Sequence, residues 1–311
     1  MSAQPEMHVL TLTTNADAPF MTEQMRALER RGVSFSTLSV AGEIDGASSR
    51  SPTAYLRYFP EVIREAGNGY DLIHAHYGLT GPMALAQVRK PVVLSLWGSD
   101  VYGPVEPISR ACVPLCDEVV VMSERMRETI GRDCAVIPDG VDLEKFRPEP
   151  RDRARERVGW DDDALHVLFP YHPDREVKNY PRARRVVNAV NGLLDRPVRL
   201  RTVYDVDHDA VPDYMNAADA LLLTSHSEGS PNSVKEALAC NLPVVAVDVG
   251  DVRERLAGVE PSRVGTTDEE LIDGLRAVLE RGDRSNGRDA AAEVSVDRTA
   301  ARLLEVYERA V

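Results

Sequence analysis

Apolar and polar positions along this chain alternate between short β-branched runs and longer amphipathic stretches. Residues 8–12 (His-Val-Leu-Thr-Leu) have the length and composition of a strand, 21–31 carry helical spacing closed by Gly32, and 34–40 return to strand. The rhythm continues with a helix over 55–66, a strand over 71–76, a helix over 81–88 and a strand over 91–96. A helix over 108–116, a strand over 118–122, a helix over 123–130 and a strand over 134–137 follow. Six strand candidates before residue 140 suffice for one complete Rossmann-like parallel sheet.

Periodicity fails between Asp139 and Asp162, and the polar run 148–153 (Pro-Glu-Pro-Arg-Asp-Arg) reads as a linker. A second series then begins. It has strands over 166–169, 198–203, 220–224 and 244–247, helices over 180–194, 212–217 and 231–240, and two terminal helices over 268–280 and 296–310. The pattern predicts two tandem doubly wound α/β domains with a cleft between their facing sheet edges.

Composition narrows the partners. Asp+Glu 50 against Lys+Arg 37 gives a formal net charge of -13, which argues against a broad polyanion-binding surface and against nucleic acid as a partner. Lys stands only at 90, 145, 178 and 235, so the remaining basic residues are Arg. An acid surplus with scarce Lys suits a halophilic cytoplasm, where salt screens self-repulsion, and a GC-biased genome favouring Arg codons produces the same skew. The four Cys (Cys112, Cys116, Cys134, Cys240) have no C-x-x-C spacing; Cys112 and Cys116, four apart in a helical run, could clip a metal, but no His lies nearby, so reduced core thiols and no metal are expected. The N-terminus carries no basic-apolar signal segment, and no apolar run approaches the roughly 18 residues of a membrane span. A cytoplasmic protein is expected, with at most weak peripheral contact at the inner membrane face through the mixed segment 110–132.

Neither G-x-G-x-x-G nor a phosphate-binding G-x-x-x-x-G-K-[ST] motif occurs. The informative segment is 225–243, where a strand runs through a tight Gly-containing turn into a helix. Pro231 suits the first helical position with Ser230 as cap, leaving free N–H groups and the positive dipole end to meet an anion. Val234, Ala237 and Leu238 form the buried stripe in this reading, with Asn232, Lys235 and Glu236 opposite. Glu228 and Glu236 then flank an anion-binding terminus and can accept hydrogen bonds from sugar hydroxyls; an ordinary capped helix with solvated acids is the plainer alternative. Arg175 and Lys178 form an R-x-x-K pair after the first strand of the second series, where doubly wound folds bind ligands. Two cations there can neutralise a leaving diphosphate without a metal, unless they merely pair with Asp174 and Glu176.

The stretch from Glu228 to Glu236 resembles the E-x7-E signature of glycosyltransferase family 4, retaining nucleotide-sugar-dependent enzymes of the GT-B fold. The resemblance implies that Glu228 contacts the donor hexose, that Glu236 binds the ribose, and that Gly229, Ser230, Pro231, Asn232 and Ser233 hold the phosphates. It also implies that Arg175 and Lys178 stabilise the departing diphosphate. Residues 137–142 (Ile-Pro-Asp-Gly-Val-Asp) with Phe146-Arg147-Pro148 resemble the family's "IPNGVD…F.P" ending of its first domain. Residues 70–76 and 91–100 resemble its strand and "HGxD" segments, and from them His76, Gly98 and Asp100 are carried over to the acceptor side. There are departures. Trp97 stands where the family commonly has His, the Gly-rich loop after the first strand is absent, Asp251 replaces the second Gly after Gly250, and the stretch 204–210 is short.

The implied organisation is an acceptor-side Rossmann-like domain at 1–148, a linker at 149–163, a nucleotide-sugar-binding Rossmann-like domain at 164–294 and a C-terminal helix at 295–311. The implied reaction moves a hexosyl unit from a nucleoside diphosphate sugar to a glycan or lipid-linked glycan hydroxyl, with retention and without a cofactor, in envelope or S-layer glycan assembly. Rival readings are a nucleotide-sugar epimerase or trehalose-type synthase on the same fold, and a catalytically silent scaffold subunit.

Overall fold

In a computed structural model of the protein, residues 7–40 and 52–311 are described. The chain divides into two compact units: one runs up to Gly140 and regains Val296–Val311, and the other is Val141–Ser295.

Among the described residues the first unit builds a six-stranded sheet from β1 (Met7–Thr13), β2 (Val33–Ser39), β3 (Leu72–His76), β4 (Val92–Leu96), β5 (Glu118–Val121) and β6 (Ala135–Val136). Their spatial order is β2-β1-β3-β4-β5-β6, and every pairing is parallel. β3 and β4 are buried at every residue, as strands covered on both faces must be. The helix predicted over 108–116 is shorter, Glu106–Cys112, and tightens into a 3-10 turn over Val113–Leu115. Pro114 accounts for the change, since it has no N–H for the next helical bond. A short helix at Gly98–Tyr102 was not read from the sequence.

The C-terminal helix Val296–Ala310 belongs to this unit's core. Leu303, Val306 and Tyr307 are buried, and the Tyr307 hydroxyl lies 2.7 Å from His74 Nδ1. His74 Nε2 lies 2.7 Å from Ser95 Oγ, so the helix is tied to β3 and through it to β4. Where the chain leaves and re-enters the unit, a Cβ on Gly140 would lie 2.4 Å from Val296 Cα. The close approach explains the glycine.

Among the described residues the second unit builds a five-stranded parallel sheet from β7 (Leu165–Phe169), β8 (Val198–Thr202), β9 (Ala220–Leu223), β10 (Val244–Val247) and β11 (Arg263–Gly265), in the order β11-β10-β9-β7-β8. β11 has three residues with only Gly265 buried, too brief a pattern to be read in advance. Residues 149–163, expected as linker, carry the helix Arg151–Val158. Its anchor is a charge. Arg155 is buried and bonds Asp219 at 2.7 Å, Asp162 at 3.1 Å and the Ala217 carbonyl at 3.1 Å. A helix held by a satisfied buried guanidinium shows no apolar stripe, which is why periodicity missed it.

Both sheets reverse strand order beside their first strand, between β1 and β3 and between β7 and β9. In open α/β sheets ligands bind outside the carboxyl ends of the strands at such switch points.

Candidate active site

Loops from β7 and β9 flank the switch point of the second unit, and they carry Lys178 and Glu228. Lys178 ends the 3-10 turn Glu176–Lys178, and its Nζ lies 2.6 Å from Glu228 Oε1. Both side chains are largely enclosed, at 8% and 13% exposure. The two loops are zipped together. The Thr224 hydroxyl donates to the Lys178 and Asn179 carbonyls, each at 3.1 Å, and the His226 N–H donates to the Val177 carbonyl at 2.8 Å. Lys178 Nζ also stands 4.0 Å over the Tyr171 ring, and the Tyr171 hydroxyl lies 2.5 Å from Ser233 Oγ.

Burial lowers the pKa of Lys178, and Glu228 works against that shift. Tyr171 is pushed well above the usual phenol range, first by burial and then by the Glu228 carboxylate. The pair is thus a desolvated cation beside an anion. Arg175 is exposed nearby, and its charge acts on both Lys178 and Tyr171. Lys178 therefore pairs with Glu228 rather than with Glu176.

The loop from Glu228 to Pro231 is fixed from below. Gly250 takes the left-handed conformation (φ 55), and a Cβ there would lie 2.5 Å from the Gly229 carbonyl oxygen. The Ser230 hydroxyl donates to Asp251 Oδ2 at 2.8 Å. Two sequence expectations change here. The helix runs over Asn232–Ala239 with Pro231 at the N-cap and no side-chain cap among the described residues, so Ser230 is a loop anchor and not a cap. Lys235 is not on the solvent side: it is 1% exposed, and its charge opposes the rise that burial gives the Asp251 carboxyl.

The uncapped first turn leaves backbone N–H groups of the helix for an anion. Pro231 and Gly229 are buried there, and the buried Asn232 Oδ1 has no hydrogen-bond partner among the described residues. Glu236 stands one turn further along, with Oε1 3.2 Å from His208 Nε2. Sequence reasoning missed Tyr171, His208 and the holding role of Gly250 and Asp251. The Gly-Asp pair after β10 was the visible signal for the last two, since it breaks the family's usual pattern.

The acceptor-side candidates all lie in the first unit. His76 ends β3, buried, with its ring stacked on Trp97 at 6.3 Å and Nδ1 unpartnered among the described residues. Phe20 lies 5.0 Å from Trp97. Gly98 opens the helix Gly98–Tyr102 and is half-buried. Asp100 is fully buried and spends both oxygens on backbone, accepting from the Trp97 N–H at 2.8 Å and the Gly78 N–H at 3.2 Å. It shapes the turn and presents no oxygen outward. Tyr77, at φ 103, holds the strained backbone between β3 and this turn.

Residues 6–145 match the family described as Glycosyltransferase Family 4, and residues 178–281 match Glycosyl transferases group 1. A D-inositol 3-phosphate glycosyltransferase of Saccharomonospora viridis is 30% identical across 98% of this chain and 85% of that protein. The chain belongs to glycosyltransferase family 4. Another D-inositol 3-phosphate glycosyltransferase, from Salinispora arenicola, is 28% identical across 99% of this family 4 chain and 84% of its own. Sucrose-phosphate synthase from Thermosynechococcus elongatus superposes with TM-score 0.74 at 17% identity, covering 97% of this chain and 98% of that one. Anabaena HepE, solved in complex with UDP and glucose, gives 0.72 at 15% identity over 97% and 99%. The family 4 protein has the GT-B fold, two parallel-sheet α/β domains, and is a glycosyltransferase. Among the described residues no helix is long and apolar enough to cross a membrane, and no three His, Cys, Asp or Glu are grouped to hold a metal.

Proposed function

We propose that the protein transfers a hexosyl unit from a nucleoside diphosphate sugar to an acceptor hydroxyl with retention at the anomeric carbon. The observation that carries this reading is the desolvated Lys178–Glu228 pair at 2.6 Å, beside the uncapped start of helix Asn232–Ala239. A diphosphate supplies what that arrangement lacks: anionic oxygens for Lys178, Arg175 and the helix N–H groups. Its arrival frees the Glu228 carboxylate to accept from sugar hydroxyls, while Glu236 takes the ribose. In the reaction the bond from C1 to the β-phosphate oxygen breaks, the acceptor oxygen bonds C1 on the same face, and the acceptor proton passes to the leaving diphosphate. Catalysis is then positioning and charge stabilisation, with no metal or cofactor assigned.

On the first unit we assign the acceptor to the region of Trp97 and Gly98, over the buried His76, with Asp100 shaping it. The relatives' names favour a polyhydroxylated acceptor: inositol phosphate for the two transferases above, and teichuronic acid biosynthesis for a putative Bacillus subtilis glycosyltransferase, TuaC, 31% identical over 58% of this chain and 54% of its own. We assign the acceptor here to a glycan or lipid-linked glycan of the cell envelope, modified at the cytoplasmic face of the membrane. Thermal-shift titration with UDP-, GDP- and ADP-sugars at high salt tests the donor half. Stabilisation by one donor, lost in Glu228→Ala and Lys178→Ala, is expected; a chain that no nucleotide sugar stabilises sinks the reading.

A further inference from the structure

Glu236 is held by a row of side chains that the transfer reaction does not itself require. Its Oε1 lies 3.2 Å from Nε2 of His208, and on the other side of that ring Nδ1 lies 2.8 Å from Nζ of Lys145. Lys145 pairs in turn with Asp209 Oδ1 at 2.7 Å. His208 opens the 3-10 turn His208–Ala210, which Asp207 closes by accepting from the Asp209 N–H at 3.0 Å. The Phe146 ring stands 5.6 Å from the imidazole. The ring is therefore set by the turn, by an aromatic neighbour and by partners at both nitrogens.

Chemistry fixes the protons along this row. An ammonium has three donors and no acceptor, so His208 Nδ1 has to accept from Lys145. The single proton of the neutral ring then resides on Nε2, where it is donated to the Glu236 carboxylate. The Glu236 carboxylate, an acceptor only, favours the same tautomer, and Lys145 reinforces it by occupying the Nδ1 lone pair. A ring carrying its proton on Nδ1 would turn a lone pair toward Glu236 and repel it.

We propose that Lys145 and His208 are positioning residues for the nucleoside part of the donor. Lys145 occupies Nδ1 of His208 and so holds the ring in the orientation and tautomer that Glu236 needs, and His208 anchors Oε1 of Glu236, so that the other carboxylate oxygen is kept for the ribose hydroxyls. This rests on the reading of Glu236 as the ribose carboxylate. It assigns Lys145, one of only four lysines in the chain, to a site by chemistry and not by motif.

UDP and 2′,3′-dideoxy-UDP, with the GDP pair in parallel, are titrated calorimetrically into wild type, Glu236→Ala, His208→Ala, His208→Gln, Lys145→Met and the Lys145→Met/His208→Gln double variant. His208→Ala and Lys145→Met should each weaken the ribonucleotide about tenfold, the scale of one lost hydrogen bond to a charged group, and leave the dideoxy analogue unchanged. Gln offers an amide N–H where Nε2–H was, so His208→Gln recovers most of the loss. In that background Lys145→Met then costs nothing further, because the lysine acts only through the ring. Nitrogen-resolved histidine NMR should show His208 as the Nε2–H tautomer with a hydrogen-bonded Nδ1 in wild type, and that Nδ1 hydrogen bond lost in Lys145→Met.

An equal Lys145→Met loss in the His208→Gln background, or with the dideoxy nucleotide, overturns the relay and makes Lys145 a direct charge on the diphosphate. If Glu236→Ala loses discrimination while the His208 and Lys145 variants bind as wild type, the relay alone fails. If wild type and Glu236→Ala bind both nucleotides alike, the ribose role of Glu236 fails and takes the relay with it. No binding of either nucleotide by a folded wild type overturns both. His208→Gln, the conservative change, keeps the test decisive should His208→Ala not fold.

Discussion

The two units share a strand order up to their fifth strands and put opposite chemistry at the same point of it. In the second unit the loops after β7 and β9 bring a buried cation onto a carboxylate, with Arg175 beside them and an uncapped helix start whose Ser233 meets the Tyr171 hydroxyl. In the first unit the corresponding ends carry uncharged rings. His76, its imidazole brought down to about 3 by burial, stacks on Trp97 and lies beside His74, with Phe20 against Trp97. Topology decides where an α/β sheet offers a site, and side chains decide what the site takes. A charged, desolvated site suits a diphosphate, and a neutral aromatic one suits the face and hydroxyls of a polyol.

The largest test is whether the units are held by separate cores. Removing residues 296–311 takes Leu303 and Val306 out of the first core, about 3–6 kcal/mol of burial, and removes Tyr307 from His74 as well. That approaches the whole stability of an ordinary domain. Limited proteolysis should then cut the first unit freely while the second resists as before. Loss of both units together would deny the division.

Next in size is the chemical contrast. Lys178→Met and Glu228→Gln should each lower kcat about 100- to 1,000-fold, the scale of losing one group that stabilises developing charge. Trp97→Leu should instead act on the acceptor KM by about tenfold, with kcat and donor affinity kept, as loss of aromatic stacking would. Steady-state kinetics separates the two, and a Trp97→Leu defect in donor affinity would erase the contrast.

How much of this was legible in the sequence follows the kind of force involved. Strands packed on both faces announce themselves as apolar runs, and β3, β4, β7, β9 and β10 were all visible for that reason. The helix Arg151–Val158 was not, because a buried Arg155–Asp219 pair stands in for its apolar face. Lys235 was placed on the wrong side for a related reason: helical spacing sees a charge and cannot see the buried Asp251 that compensates it. Glu228, Glu236, Arg175 and Lys178 were legible as a motif. Their partner His208 comes from another loop at a separation that no spacing rule spans, and Tyr171, on the same loop as Lys178, shows its role only where the fold brings it to Lys178 and Ser233. Gly250 lies between these cases, since the residue was noticed and its contact was not. Gly250→Ala forces a Cβ to 2.5 Å from the Gly229 carbonyl in a left-handed backbone. It should cost about 1–3 kcal/mol and loosen the donor loop, raising donor KM in the second unit and leaving acceptor KM alone.

The smallest expected effect separates the units by pH. His74 is held well below the usual imidazole range, by burial and then by the neighbouring His76, and burial takes His76 to about 3. An unfolded imidazole titrates near 6.5, at roughly the usual value. Below that pH the unfolded chain therefore takes up protons on both imidazoles that the folded first unit resists, so its stability falls on acidification. Asp100 acts in the opposite sense. Burial raises it to about 7, so from roughly pH 4 to 6.5 the folded unit holds one proton that the unfolded chain lacks. Two against one leaves a net loss of stability as pH falls through that window. In the second unit His166 is lowered by burial while Asp251 is raised by it, one of each sign, and they oppose one another. Denaturant titrations between pH 4 and 6.5 should show His76→Gln flattening the slope of the first unit by one proton and Asp100→Asn steepening it by one. A first unit whose slope ignores both substitutions would mean that its switch point is open to water, and the contrast with the second unit would then rest on charge alone.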